Sequence, residues 1–74
     1  MGTQRTALEK RAYLRELVKR FPLDFGRNIH RRELIAKMII HFGCGRPYAL
    51  NLVQAFIDSG EFKQIEENGE IFII

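Results

Sequence analysis

The stretch Lys63–Ile74, KQIEENGEIFII, places the dipeptide Asn68-Gly69 between two runs that are rich in apolar residues. Asn-Gly favours a two-residue turn in which both backbone φ angles are positive, and it is the strongest local signal of a β-hairpin. The sequence therefore predicts a hairpin with strands over residues 62–67 and 70–74.

Each face of this hairpin carries three large apolar side chains, because side chains alternate between the two faces of a strand. We assign one set to the core that covers the helices: Phe62, Ile71 and Ile73. The other set faces away: Ile65, Phe72 and Ile74. Since a solvent-exposed apolar face favours a partner, we expect this second face, together with Ile40, to form a homodimer interface. The alternative is that the ends of the first helix or the loop around Phe25 cover it.

Residues 3–21 upstream of the hairpin have the spacing of an amphipathic helix. Its apolar stripe is Leu14, Leu17, Val18 and Phe21, and Pro22 is expected to end it. Lys10 falls within the projected apolar arc, so the residues before about Ala12 are expected to extend past the core or to pack on another element.

A second helix is predicted to begin after the isolated Ile29 and to end near Phe42, with Gly43 following it as a C-terminal cap. Either His30 or Asn28 is its N-cap, and Glu33 is placed to complete a capping box. Its buried residues are Leu34, Ile35, Met38, Ile39 and Phe42.

A third helix is predicted over residues 46–59, with Pro47 in its first turn, where the missing N–H costs nothing. Its apolar stripe is Leu50, Val53, Phe56 and Ile57. The order of helix, short strand, two helices and hairpin indicates an α+β fold, and the length of 74 residues indicates one domain over residues 1–74.

Charge is divided unevenly along the chain. Residues 1–46 hold eleven lysine and arginine residues against four acidic residues, a balance of +7, whereas residues 47–74 hold one against five, a balance of −4. An asymmetry of this size suggests that one side of the molecule binds a polyanion. The alternative is a solvated helix surface that is merely basic.

This order of elements resembles the winged helix-turn-helix family. The stretch IHRRELIA, residues 29–36, resembles the family's short strand that runs directly into its second helix. The stretch ALNLVQAFIDSGEF, residues 49–62, resembles its recognition helix and the start of its wing. The resemblance implies a double-stranded DNA-binding protein, a small transcriptional regulator whose third helix enters the major groove. Two features depart from it: the turn before the third helix is longer than in the tightest examples, and the wing tip is acidic.

The third helix has a polar face opposite its apolar stripe, and amide and guanidinium side chains can bond base edges. The predicted base contacts are Arg46, Tyr48, Asn51 and Gln54. The predicted phosphate contacts are Arg27, Arg31, Arg32, Lys37, Arg11, Arg15 and Lys19. The alternative is that Asn51 and Gln54 only face water and that the ridge of Arg11, Arg15 and Lys19 serves solubility. A second function, a winged-helix protein-interaction module without DNA binding, is favoured by the acidic wing and the second apolar face.

No residue pattern indicates catalysis. The spacing of His30, His41 and Cys44 does not match a metal site, so we expect no metal and no cofactor. No apolar run is long enough to cross a membrane. These features predict a protein that is not an enzyme and that is cytoplasmic, associated with the nucleoid if the source is prokaryotic.

Overall fold

The computed structural model of the chain describes the backbone of residues 3–74 and the side chains of residues 7–74. Its elements are α1 (Thr3–Phe25), β1 (Ile29–His30), α2 (Arg31–Phe42), α3 (Arg46–Asp58), β2 (Gln64–Glu67) and β3 (Glu70–Ile73). The three helices and the small antiparallel sheet of three strands confirm the predicted α+β class.

The first helix is longer than predicted, because α1 continues through Pro22 to Phe25. Proline disfavours a helix interior because it lacks an N–H and crowds the preceding turn. The helix nevertheless closes one further turn, in which the N–H of Gly26 donates to the carbonyl oxygen of Pro22 at 2.8 Å. Gly26 then ends the helix with a φ of +72°. The predicted end at residue 21 was therefore wrong by one helical turn.

The second helix begins directly after β1, with His30 in an extended conformation as its N-cap residue. The carboxylate of Glu33 accepts a hydrogen bond from the backbone N–H of His30 at 3.1 Å, as a capping box requires. Of the two predicted caps, His30 rather than Asn28 is therefore confirmed. The helix ends at Gly43, whose φ of +66° is left-handed and whose N–H donates to the carbonyl oxygen of Ile39.

One apolar core lies between the helices and the sheet. From α3 it receives Ala49, Val53 and Phe56, whereas the predicted Leu50 and Ile57 are only partly buried at its margin. The buried stripe of α3 is thus turned toward Ala49, which the sequence analysis had not assigned to the core. The other buried core residues are Leu14, Val18, Phe21, Ile29, Leu34, Ile35, Met38, Phe62 and Ile73.

The sheet has the strand order β1-β3-β2 with antiparallel pairing throughout. The predicted hairpin register is confirmed, since Glu67 lies opposite Glu70. Asn68 and Gly69 have φ angles of 53° and 79°, the signs that a type I′ turn requires. The first strand of the hairpin, β2, is shorter than predicted because it begins at Gln64 rather than at residue 62.

The face of the hairpin toward the helices is only partly buried. Phe62 and Ile73 belong to the core as predicted, but Ile71 is 38% exposed, so its assignment to the core was wrong. Ile71 immediately follows the first residue of β3 at the turn, where it lines an open groove together with Ile35 of α2.

The opposite face of the hairpin is less exposed to solvent than predicted. His30 of β1 lies opposite Phe72, and the centroids of the two rings are 4.4 Å apart. Phe72 and Ile65 are consequently half-buried, and Ile74 remains 40% exposed. The pairing of β1 with β3, rather than the first helix or the loop around Phe25, gives Phe72 this neighbour.

Candidate nucleic-acid interface

The predicted base-contacting residues lie on α3, and all of them are exposed: Arg46, Tyr48, Asn51 and Gln54. Asn51 and Gln54 share the face opposite the buried stripe, while Arg46 and Tyr48 lie at the two borders of its N-terminal end. The side-chain amide of Gln54 donates to the carboxylate of Asp58 at 2.9 Å, which leaves its amide oxygen available. The structure therefore exposes all four residues along α3, but it places only Asn51 and Gln54 on the face opposite the buried stripe.

On one side this face is bordered by α1. The ammonium group of Lys10 lies 4.7 Å from the ring centroid of Tyr48 and 5.8 Å from that of Phe42. Such a contact attracts a cation to the ring face and contributes about 0.5–1 kcal/mol at an exposed site. Lys10 can therefore lie on the apolar arc of α1, because its ammonium group packs against the rings of Tyr48 and Phe42. The exposed Arg11 lines a shallow groove beside Leu52 of α3.

On the other side α3 is bordered by a groove of about 400 Å³ between the first turn of α2, the first residue of α3 and the hairpin turn. Ile35 and Ile71 give it an apolar floor. Its cationic residues are Arg31, Arg32 and Arg46, and we call it the arginine groove.

The three guanidinium groups of the arginine groove, those of Arg31, Arg32 and Arg46, have no ion-pair partner in the part of the chain that the structure describes. The Nε atom of Arg31 is buried, and no acceptor of the described residues reaches it. A buried donor without an acceptor destabilises a protein by about 1–3 kcal/mol, so a movement of the Arg31 side chain that brought this atom to an acceptor would be favoured.

Arg27, a predicted phosphate contact, has a different environment. Two of its nitrogens donate to the carboxylate of Glu33, at 2.9 and 3.0 Å. The hydrogen bond from Arg27, helped by the one from the His30 N–H, lowers the pKa of Glu33 to about 2. Burial acts in the opposite direction but is outweighed. Arg27 therefore neutralises the residue that caps α2.

The predicted ridge on α1 is also partly neutralised. Arg15 forms an ion pair and hydrogen bonds with Glu61, and these raise the pKa of the guanidinium. Its side chain also lies over the ring of Phe56, at 5.3 Å from the centroid. By contrast, Lys19 is exposed and Lys37 is half-buried, and neither has an ion pair within the described part of the chain.

The predicted protein interface is only partly exposed. Ile40 is 82% exposed on α2, and Ile74 is 40% exposed, whereas Ile65 and Phe72 are half-buried. The end of α1 adds an apolar residue that the sequence analysis did not identify, since Leu23 is 82% exposed.

Two residues of the arginine groove were missed by the sequence analysis. His30 and Glu70 lie at its rim, where Nε2 of His30 is 3.7 Å from a carboxylate oxygen of Glu70. The signal was the isolated Ile29: its pairing with the hairpin brings His30 to the turn, because Ile29 lies opposite Ile73.

Within residues 3–74, no helix is long and apolar enough to cross a membrane, and no three His, Cys, Asp or Glu side chains are grouped to hold a metal ion. Comparison of the sequence with protein-family models, with curated proteins and with solved structures gives no match. The function is therefore inferred from the geometry of the residues described above.

Proposed function

We propose that this chain is a winged helix-turn-helix domain that binds double-stranded DNA with α3 in the major groove. The observation that carries the proposal is the position of the exposed face of α3 between two cationic borders. Lys10 and Arg11 lie on one side, and the arginine groove lies on the other. The major groove is likewise flanked by two phosphate strands, whose neutralisation supplies most of the affinity for DNA.

In this proposal Asn51 and Gln54 read base edges. Amide side chains bond adenine with two hydrogen bonds, and both residues lie on the exposed face. Asp58 is at the far end of the helix, where it holds the amide of Gln54. A carboxylate there favours entry of the N-terminal half of α3, with Arg46 and Tyr48 nearest to the DNA.

The phosphate contacts divide by their partners. Arg31, Arg32, Arg11, Lys19 and Lys37 have no ion pair among the described residues, so they are the proposed phosphate contacts that require no rearrangement. Arg15 and Arg27 would first have to release Glu61 and Glu33, respectively.

The sheet supports the proposal through its topology. The order β1-β3-β2 is compatible with a winged helix, with the hairpin as the wing. The tip carries Glu66, Glu67 and Glu70 around the Asn-Gly turn. These carboxylates repel phosphate, so the wing contributes little to the DNA contact in this proposal. The domain would act as a small transcriptional regulator in the cytoplasm.

Exposed apolar residues favour a protein contact as well. Ile40 and Leu23 are both 82% exposed, and Ile74 is 40% exposed. We propose that the surface with Ile40, Ile65, Phe72 and Ile74 joins two copies. The second candidate function, a protein-interaction module without DNA, predicts such a surface too. Sedimentation in dilute solution tests the dimer, which a monomer at micromolar concentration would refute.

Binding to mixed-sequence duplex DNA at two salt concentrations tests the main proposal. The affinity is expected to fall steeply with salt, because each phosphate contact adds about 0.9 to the slope of log affinity against log salt. Asn51→Ala is expected to relax the preference among sequences, with a discrimination of about 1–3 kcal/mol lost at one base pair. No binding at the lower salt concentration would leave the interaction module as the function.

A further inference from the structure

We infer that the arginine groove is a binding site for a phosphate group, and that the negative charge of Glu70, on the hairpin turn at the same groove, weakens the binding of that group. The phosphate belongs either to the DNA backbone or to a free phosphate ion or monoester. The inference rests on the proposed function only for the first of these sources.

Positive charge is concentrated in the arginine groove. Arg31, Arg32 and Arg46 come from two helices and line one groove. Guanidinium groups that line one groove repel one another, and an anion bound between them relieves this repulsion. Elsewhere on the described surface, Arg15 and Arg27 have carboxylate partners. The arginine groove is thus a place where the fold gathers cations that have no ion-pair partner among the described residues.

One of these arginines carries an unsatisfied hydrogen-bond donor. Nε of Arg31 is buried and has no acceptor among the described residues. Because this atom is enclosed, it would donate to a phosphate oxygen only after the Arg31 side chain turned toward the groove, and the other oxygens would remain for Arg32 and Arg46. The first backbone N–H groups of α2, which begins at Arg31, add to the same positive field.

The geometry favours phosphate over other anions. A phosphate has oxygens in a tetrahedral arrangement, so guanidinium groups from several directions can each bind an edge of it. A carboxylate is planar, and one or two guanidinium groups are enough to occupy its hydrogen-bond acceptor positions. The apolar floor formed by Ile35 and Ile71 offers no hydrogen bond, so binding in this groove must come from its charged walls.

Glu70 is the acidic residue that lines this groove. Its carboxylate lies 3.7 Å from Nε2 of His30, and Glu70 is paired with Glu67, a second acidic residue, across the hairpin. Its negative charge attracts the arginines and repels a phosphate. Removal of this charge is therefore expected to strengthen phosphate binding, although the carboxylate makes no ion pair with the arginines themselves.

The test is a titration of the intact chain with inorganic phosphate at constant ionic strength, followed through the NMR signal of the Arg31 Nε–H group. We expect the signal to shift with phosphate until it saturates. Sodium chloride at the same ionic strength should not produce this shift. Arg46→Ala is expected to weaken binding about tenfold, as loss of a charged hydrogen bond does. The matched control Arg20→Ala, on α1, is expected to leave it unchanged.

The role of Glu70 is tested by Glu70→Gln, which is expected to tighten phosphate binding about threefold, the size typical of an exposed charge interaction. Glu16→Gln, the same change on α1, is expected to have no effect. Weaker or unchanged phosphate binding in Glu70→Gln would show that the charge of Glu70 does not oppose phosphate binding. Absence of a saturable shift in the unmodified chain would overturn the site itself.

Duplex DNA added to the phosphate-loaded protein distinguishes the two sources. Displacement of the bound phosphate by DNA assigns the site to the DNA backbone, and simultaneous binding assigns it to a free phosphate group. Failure of the phosphate titration alongside salt-dependent DNA binding would refute this inference and leave the proposed function standing. Phosphate binding without DNA binding would do the reverse.

Discussion

Arg27, which precedes β1, and the arginines in the first turn of α2 differ in whether a carboxylate pairs with them. Arg27 is held by Glu33 through two hydrogen bonds, at 2.9 and 3.0 Å. Arg31 and Arg32 follow a few residues later and line a groove in which no carboxylate pairs with them among the described residues. Neighbours in sequence thus have opposite electrostatic roles: one stabilises a helix end, and the others present charge to solvent.

This difference shows why a count of basic residues is a poor guide to binding charge. The balance of +7 over residues 1–46 includes Arg15 and Arg27, whose charge is offset by Glu61 and Glu33. Of the arginines without an ion pair among the described residues, Arg31, Arg32 and Arg46 line one groove beside α3. The comparison can be tested because each set of arginines can be altered without the other.

The largest effect is expected from the double variant Arg32→Ala/Arg46→Ala. Both side chains are exposed, so the fold should persist, whereas two charged contacts to DNA are lost. At about 1.5 kcal/mol for each contact, the affinity for duplex DNA should fall by roughly a hundredfold. Fluorescence anisotropy at one fixed salt concentration measures this, and a loss below about threefold would contradict the role of the groove.

A smaller effect, on stability rather than binding, is expected from Glu33→Ala. The variant loses both the cap of α2 and the pair with Arg27, so the free energy of unfolding should fall by about 1–2 kcal/mol. Urea denaturation measures the change. The control is Glu16→Ala, whose contact with Arg20 is exposed and 3.8 Å long, and which should cost below about 0.5 kcal/mol. Equal losses in the two variants would show that Glu33 has no special role.

The smallest effect concerns pH. The pKa of Glu33 is lowered from 4.5 to about 2, so the stability it contributes is complete above pH 4.5 and is lost as the pH falls to about 2. Glu33→Gln keeps the capping geometry but removes this charge. The unmodified chain should be more stable by about 1 kcal/mol near neutral pH, a value reduced for solvent screening at this half-exposed site.

The difference in stability between the unmodified chain and Glu33→Gln, measured by urea denaturation across that pH range, should shrink as the solution becomes more acidic. A difference that stayed constant, or grew, below pH 4.5 would show that the pair with Arg27 does not lower the pKa of Glu33 in the folded protein.

Much of the fold could be predicted because local chemistry decides it. Asn68-Gly69 gives the hairpin register, and Gly43 gives the end of α2. The end of α1 could not be predicted in this way, since Pro22 alone favours an earlier stop. The continuation to Phe25 is accompanied by an i, i+4 contact within α1, in which the rings of Phe21 and Phe25 lie 4.5 Å apart.

Less of the candidate site could be predicted. Asn51 and Gln54 are visible as a polar helix face, because helical periodicity separates them from the core. The pairing of Arg15 with Glu61 joins residues 46 positions apart, and no local pattern indicates it. The arginine groove likewise forms only when β1 pairs with the hairpin and brings Glu70 next to His30.

The most direct measurement compares the salt dependence of DNA binding in two variants that each lose two arginines. One is the groove variant Arg32→Ala/Arg46→Ala, and the other is Arg15→Ala/Arg20→Ala, whose side chains pair with Glu61 and Glu16. The slope of log affinity against log salt should fall by about 0.9 for each of the two arginines that binds a phosphate, up to about 1.8 in the groove variant, and hardly change in the other. Equal slopes in the two variants would show that net charge, and not the arginine groove, determines DNA binding.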